Sequence, residues 1–308
     1  MHRLLLVLGS MVIGCSGGGG SYQAALPTRD AIAIVVPGAG PSTSASNART
    51  ETLGAQATFY TMTRQISTQL NGAAGSFFGF IEQAVGTPPS AHDATHEYWG
   101  PFTPALSPVT VELAVERVDA QDYNFFLGGK LKGAPDSAIV GLLGGSTHQM
   151  DATRSSGQLE VNFTAMNTLD PTTNPSTGAI EFVHDNTSDP RTVDVHFDNF
   201  VGGTPGATPL NATYQYAEHA DTSGSFQFGL RTNFDNDPNG VLEDAALVSR
   251  WLASGAGRAD VIAQNGSLPS GFVVHATECW DQNFQRVYYT EDVDPSKTEG
   301  DVSACALP

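Results

Sequence analysis

Cysteine is nearly absent from this 308-residue sequence: Cys15, Cys279 and Cys305 are the only three. None lies close enough to another to give the spacing of a zinc ribbon or a redox pair. Positive charge is scarce as well. Lys and Arg number 14 against 32 Asp and Glu, for a net charge of −18. Such a surface repels phosphate backbones and anionic headgroups, which argues against nucleic-acid binding. Long apolar runs are missing: after Ile13 no stretch approaches the roughly 20 residues that a membrane-crossing helix needs. There is no Gly-x-Ser-x-Gly nucleophile elbow and no phosphate-cradling glycine loop opening a helix. A Ser-His-Asp triad assembled from distant residues is not excluded by these absences, but nothing points to one.

What is present begins at the first residue. Arg3 supplies a short positive end, and Leu4–Leu8 with Met11, Val12 and Ile13 form an apolar run broken only by Gly9 and Ser10. A positive end followed by a short apolar core is the physical form of a secretory signal. The run closes on Val12-Ile13-Gly14-Cys15, which resembles the lipobox of bacterial lipoproteins. That resemblance implies cleavage before Cys15, acylation of its thiol and new amino group, and stable attachment to a bilayer through several acyl chains. Ser16, a non-Asp residue after the cysteine, goes in that family with the outer membrane. If Cys15 is lipidated, Cys279 and Cys305 remain as a pair, which in an oxidising compartment reads as a disulfide. It would close a loop of about 25 residues, worth about 3 kcal/mol by the chain-entropy model.

The expected organisation is a signal peptide at 1–14, a flexible tether at 15–29 built on Gly17–Gly20, and a single β-rich domain at 30–308. Ala31–Val36 reads as a short strand ended by Pro37. Phe59, Met62, Ile66, Leu70, Ala73, Phe77, Ile81 and Val85 recur at three and four, which predicts a helix over about 51–86. Gly72 and Gly75 are expected to bend or break it, and Pro88-Pro89 to stop it. From residue 95 the period changes to two. Val109–Val115, Leu159–Phe163, Val193–Phe197 and Phe226–Leu230 alternate apolar with polar, and eight further runs between 122 and 290 look similar. Turn residues such as Gly144-Gly145, Asp170-Pro171, Asp189-Pro190 and Asn265-Gly266 separate them. The fold expected is mainly β (a β-rich α+β fold). An antiparallel meander forms a strongly curved sheet or open barrel packed around one long N-terminal helix.

Several phrases of the body look familiar together: Tyr98-Trp99-Gly100-Pro101, Tyr216-Ala217-Glu218, Ser249-Arg250-Trp251-Leu252, Gly257-Arg258-Ala259-Asp260 and Glu278-Cys279-Trp280-Asp281 with Phe284 and Val287–Tyr289. Across most of residues 30–292 they resemble a group of uncharacterised lipoproteins of myxobacteria and their relatives. The resemblance implies a shared fold and a lipid anchor and carries no activity. The helix against a curved sheet is also similar, in architecture alone, to the half-barrel of periplasmic lipoprotein carriers.

Three constellations bear on chemistry. Asp235, Asp237 and Asn239 alternate ahead of Gly240, with Glu243 shortly after. Oxygen ligands at alternate positions before a glycine turn are how a loop wraps Ca²⁺, so a structural Ca²⁺ is the one cofactor suggested. Position 12 of the motif is Ala246 rather than a bidentate Glu, and the same residues also make a plain acidic hairpin turn, the preferred reading. His92-Asp93 with His96-Glu97 carries two histidines four apart, but Pro88 and Pro89 end the helix first, so it reads as a polar loop. Asp194, His196 and Asp198 read as a strand's solvent face. The preferred function is a non-enzymatic, outer-membrane-anchored lipoprotein whose partners are the bilayer, through Cys15, and an unknown protein or small apolar ligand. The alternatives are a carrier of an apolar ligand held between helix and sheet, and a secreted hydrolase with a dispersed site.

Overall fold

The computed structural model describes residues 22, 25–38, 52–203, 206–233 and 241–308. The protein is mainly β: among the described residues fifteen strands follow one another in sequence order in one unclosed antiparallel sheet. By compactness the chain divides into two units, each assembled from separated segments. One holds the chain up to Ile32 with Ala74–Thr187 and Val195–Asn211; the other holds Ala33–Ala73, Ser188–Asp194 and Ala212–Pro308.

The first unit carries β1 (Ala91–His92), β2 (His96–Phe102), β3 (Val109–Arg117), β4 (Asp122–Leu131), β5 (Val140–Gln149), β6 (Ser155–Asn162) and β7 (Thr177–Asp185). Their register places Trp99, Leu113, Leu127, Leu143, Val161 and Ile180 side by side across six strands. All six are buried. This is what period-two alternation does when one face is covered: every second side chain joins a single apolar row. The strand expected to run through Phe163 instead stops at Asn162. There the Asn162 side chain accepts the Ala165 N–H and caps a short helix, α3 (Phe163–Leu169). Phe163 then packs edge-on against Phe77 and Phe200.

The second unit carries β10 (Gly224–Thr232), β11 (Glu243–Trp251), β12 (Gly257–Gln264), β13 (Val273–Trp280), β14 (Arg286–Glu291) and β15 (Glu299–Gly300). Two further strands, β8 (Arg191–Val201) and β9 (Leu210–Glu218), have residues in both units. One row of the second unit runs Gly224, Trp251, Gly257, Trp280, Arg286. Glycine beside tryptophan is a steric requirement here. A Cβ on Gly257 would fall 2.5 Å from the Trp280 ring, and one on Gly224 3.0 Å from that of Trp251. Each indole N–H is satisfied by a carbonyl, of Thr222 for Trp251 and of Gly255 for Trp280.

The helix expected over 51–86 is α2, Thr58–Val85. It runs through Gly72 and Gly75 without interruption and begins seven residues later than expected. Residues 54–57 are held in a ladder instead: Gly54 donates to the Arg286 carbonyl, Arg286 donates to Ala55, and Ala57 donates to Phe284. The buried stripe is also rotated from the expected one. Thr63, Ser67, Leu70, Ala74, Phe78 and Ile81 are buried, whereas Ala73 is exposed. Apolar periodicity passes over Thr63 and Ser67 because a hydroxyl looks polar. Both are satisfied in place, Thr63 by the Phe59 carbonyl and Ser249, Ser67 by the Arg64 carbonyl.

The strand expected at Ala31–Val36 is not one. Its start lies in a helical turn, α1 (Arg29–Ile32), and Ile34–Val36 run in irregular backbone. Side chains replace the ladder. Asn71 both accepts the Ile34 N–H and donates to the Ile34 carbonyl, and the Tyr216 hydroxyl does the same for Val35. Two side chains thus supply the four bonds that a neighbouring strand would have made.

Candidate functional site

The residues singled out in the sequence are not gathered into one site. Cys15, Asp235, Asp237 and Asn239 lie outside the described residues. Glu243, the remaining member of the Ca²⁺ set, is fully buried, and its Oε1 accepts the Ser267 N–H and hydroxyl. That carboxylate closes the turn at Asn265-Gly266. A Cβ on Gly266 would meet its Oε1 at 2.5 Å. His92 and His96 fall on β1 and β2, whose register pairs His92 with Glu97. The His96 ring lies 3.1 Å from Asp93 Oδ1 and stacks on Tyr98. Asp93 is drawn down to about 2 by the Thr95 backbone N–H and by His96. Among the described residues no three His, Cys, Asp or Glu side chains converge as a metal site would require.

Cys279 and Cys305 are bridged, with their Cα atoms 5.4 Å apart. Next to Cys279 stands a buried polar cluster of the second unit, and it is built outward from one row. Tyr216, Phe226, Ser249, Ala259, Glu278 and Tyr289 sit side by side across β9 to β14. Two members of this buried row, Ser249 and Glu278, are polar, and both serve α2. Ser249 meets Thr63. Glu278 accepts the backbone N–H groups of Thr58 and Phe59 in the first turn of the helix. A carboxylate there satisfies two of the orphan amides of the helix start and faces the positive end of its dipole.

Glu278 is matched by Arg286, also fully buried, whose Nε donates to Glu278 Oε1 at 2.7 Å. The guanidinium reaches Thr58 Oγ1, lies 4.7 Å from the Tyr289 ring centre, and has Glu299 3.6 Å away on β15. Burial pushes the Glu278 carboxyl up, against the pull of Arg286 and the two amides. Phe59 and Tyr60 continue the contact, Phe59 toward Tyr289 and Tyr60 stacked on Phe284 and tilted on Trp280. Chemically, both Glu278 oxygens are engaged and both charged groups are shut from solvent, so the cluster positions the helix start.

A second, part-buried pair has the same logic. Arg191 donates to Glu218 at 2.6 Å, to the Ala33 carbonyl and to the Tyr216 hydroxyl, and lies over the Tyr216 ring. On the opposite face of β11–β13, Asp260 takes Arg250, Arg258 and Thr277 together. Burial raises its carboxyl, but these donors outweigh burial and hold it below the ordinary range.

The sequence reading missed Glu278, Arg286, Arg191 and Glu218 as structural centres. A signal existed: Tyr216-Ala217-Glu218, Ser249-Arg250-Trp251 and Glu278-Cys279-Trp280 were distinctive phrases, and each falls in this packed polar core. No protein-family model, curated protein or solved structure matches the chain.

Proposed function

We propose that the protein is an exported lipoprotein, held in the outer membrane by acyl chains on Cys15, whose body is a non-enzymatic binding or structural module. The observation that carries this reading is the division of its three cysteines. One falls at the lipobox position behind a signal-like leader, and the other two are bridged to each other. A bridged pair suits a chain that leaves the reducing cytosol. Among the described residues no helix is long and apolar enough to cross a membrane, so attachment in this reading rests on lipid. The resemblance of the body to myxobacterial lipoproteins supports the same address. In this reading the meander curves around α2, and the body's partner is a protein or a small apolar ligand.

Labelled palmitate should be incorporated into the wild-type protein and not into Cys15→Ser. The variant should leave the membrane fraction or accumulate unprocessed. Equal labelling of both, or a wild type that never takes up palmitate, overturns the reading.

A further inference from the structure

One corner of the first unit's core face is polar. There Thr147, Gly157 and His184 stand in one row: Thr147 on β5 opposes Gly157 on β6, and Gly157 opposes His184 on β7. Thr147 and His184 are 3% and 2% exposed. The Ser155 hydroxyl, on the same face of β6, meets His184 Nε2 at 3.2 Å. Asn186, the residue after β7, donates its N–H to the Ser155 carbonyl. Three buried atoms of this corner, Thr147 Oγ1, His184 Nδ1 and Asn186 Oδ1, have no hydrogen-bond partner among the described residues.

Buried polar atoms left unpaired cost about 1–3 kcal/mol each, and native proteins rarely leave three together. Gly157 brings no side chain to the row between Thr147 and His184, and a Cβ there would fall 2.3 Å from the Ser146 carbonyl, so β5 approaches too closely for any other residue. Two strand spacings separate those residues, about 10 Å between Cα atoms.

We propose that Thr147, His184 and Asn186 form a binding site for one small neutral molecule that both donates and accepts hydrogen bonds, with water as its resident occupant. The donor and acceptor set fits that chemistry. Burial lowers the pKa of His184, so its ring is neutral, with one nitrogen donating and one accepting. The Thr147 hydroxyl can do either, and Asn186 Oδ1 accepts. A water needs two to four such partners to stay in a protein interior.

A high-resolution crystal structure of the whole protein should show one ordered water within about 2.7–3.2 Å of Thr147 Oγ1 and of His184 Nδ1 or Asn186 Oδ1. A dry corner, or side chains turned to pair with one another, overturns the proposal. Thr147→Val tests the same site independently, because it keeps the shape and removes the hydroxyl. With water bound, the variant loses a made hydrogen bond and its urea midpoint falls. An unchanged or raised midpoint means that the hydroxyl was unpaired, and also overturns it.

Discussion

At the scale of single residues, the second unit depends on charges placed where charges are costly. Glu278 and Arg286 are buried together, and each is the other's counter-ion. Removing one partner of such a pair leaves an uncompensated buried charge, which typically costs about 3–5 kcal/mol. Arg286→Met should therefore lower the free energy of unfolding in urea by about that amount. A loss below about 1 kcal/mol would mean that solvent reaches Glu278 and that the pair is not the structural centre described. Asn71 offers a smaller test. Ile34 is 2% exposed, and its N–H and carbonyl are both held by the Asn71 amide. Asn71→Ala strands both groups, so a loss of about 2–4 kcal/mol is expected, and Asn71→Asp, which keeps the acceptor and loses the donor, should recover part of it. Equal stability of all three proteins would remove the side-chain clamp from the account.

At the scale of elements, much of the acidic surplus is used in turns. Asp93, Asp151, Asp185, Asp221, Asp294 and Asp301 each accept the N–H two residues on, and in every case that residue is Ser or Thr. An aspartate before x-Ser or x-Thr replaces a backbone acceptor at a chain reversal. The donors hold Asp93, Asp151, Asp221, Asp294 and Asp301 below the ordinary carboxylate pKa. Folded values below unfolded ones mean stability that is present above about pH 4 and lost as pH falls through the folded values. Glu278 and Glu97, pushed up by burial, work in the opposite direction, but they are two groups against five and Asp260. The urea midpoint should fall between pH 5 and pH 3, and Asp260→Asn should flatten part of that fall; a flat or rising midpoint would contradict this assignment. The disulfide is the other element-scale device. Its partners are a core strand, β13, and a tail whose own strand, β15, pairs at only two positions. Cys305→Ser should cost about 3 kcal/mol and make residues beyond 292 the first site of proteolysis, whereas unchanged cleavage would show that the tail holds without the bridge.

At the scale of the whole molecule, the antiparallel meander was legible because the two-residue period and its turns are local signals: Val109–Val115 and Phe226–Leu230 alternate, and they are strands. The bridge between Cys279 and Cys305 was legible by elimination. The rest depended on tertiary partners that local pattern does not carry. Ala31–Val36 has the composition of a strand, but its backbone bonds go to Asn71 and Tyr216. Phe163 has the place of a strand residue, but Asn162 turns the chain into a helix. Thr63 and Ser67 look like surface residues until their acceptors are seen, and Glu278 looks like one of 32 acids until Arg286 is placed beside it. The polar centres were visible only as unusual phrases, without a chemical reason.

The proposal that joins these scales is that a body stapled by one disulfide hangs from a membrane by its first mature residue. Mass spectrometry of the amino-terminal peptide of protein extracted from membranes tests it most directly. The account predicts that the chain starts at Cys15 and carries the added mass of a diacylglyceryl group on the thiol and an acyl group on the amine. A chain that keeps residues 1–14, or begins elsewhere with an unmodified Cys15, would contradict it.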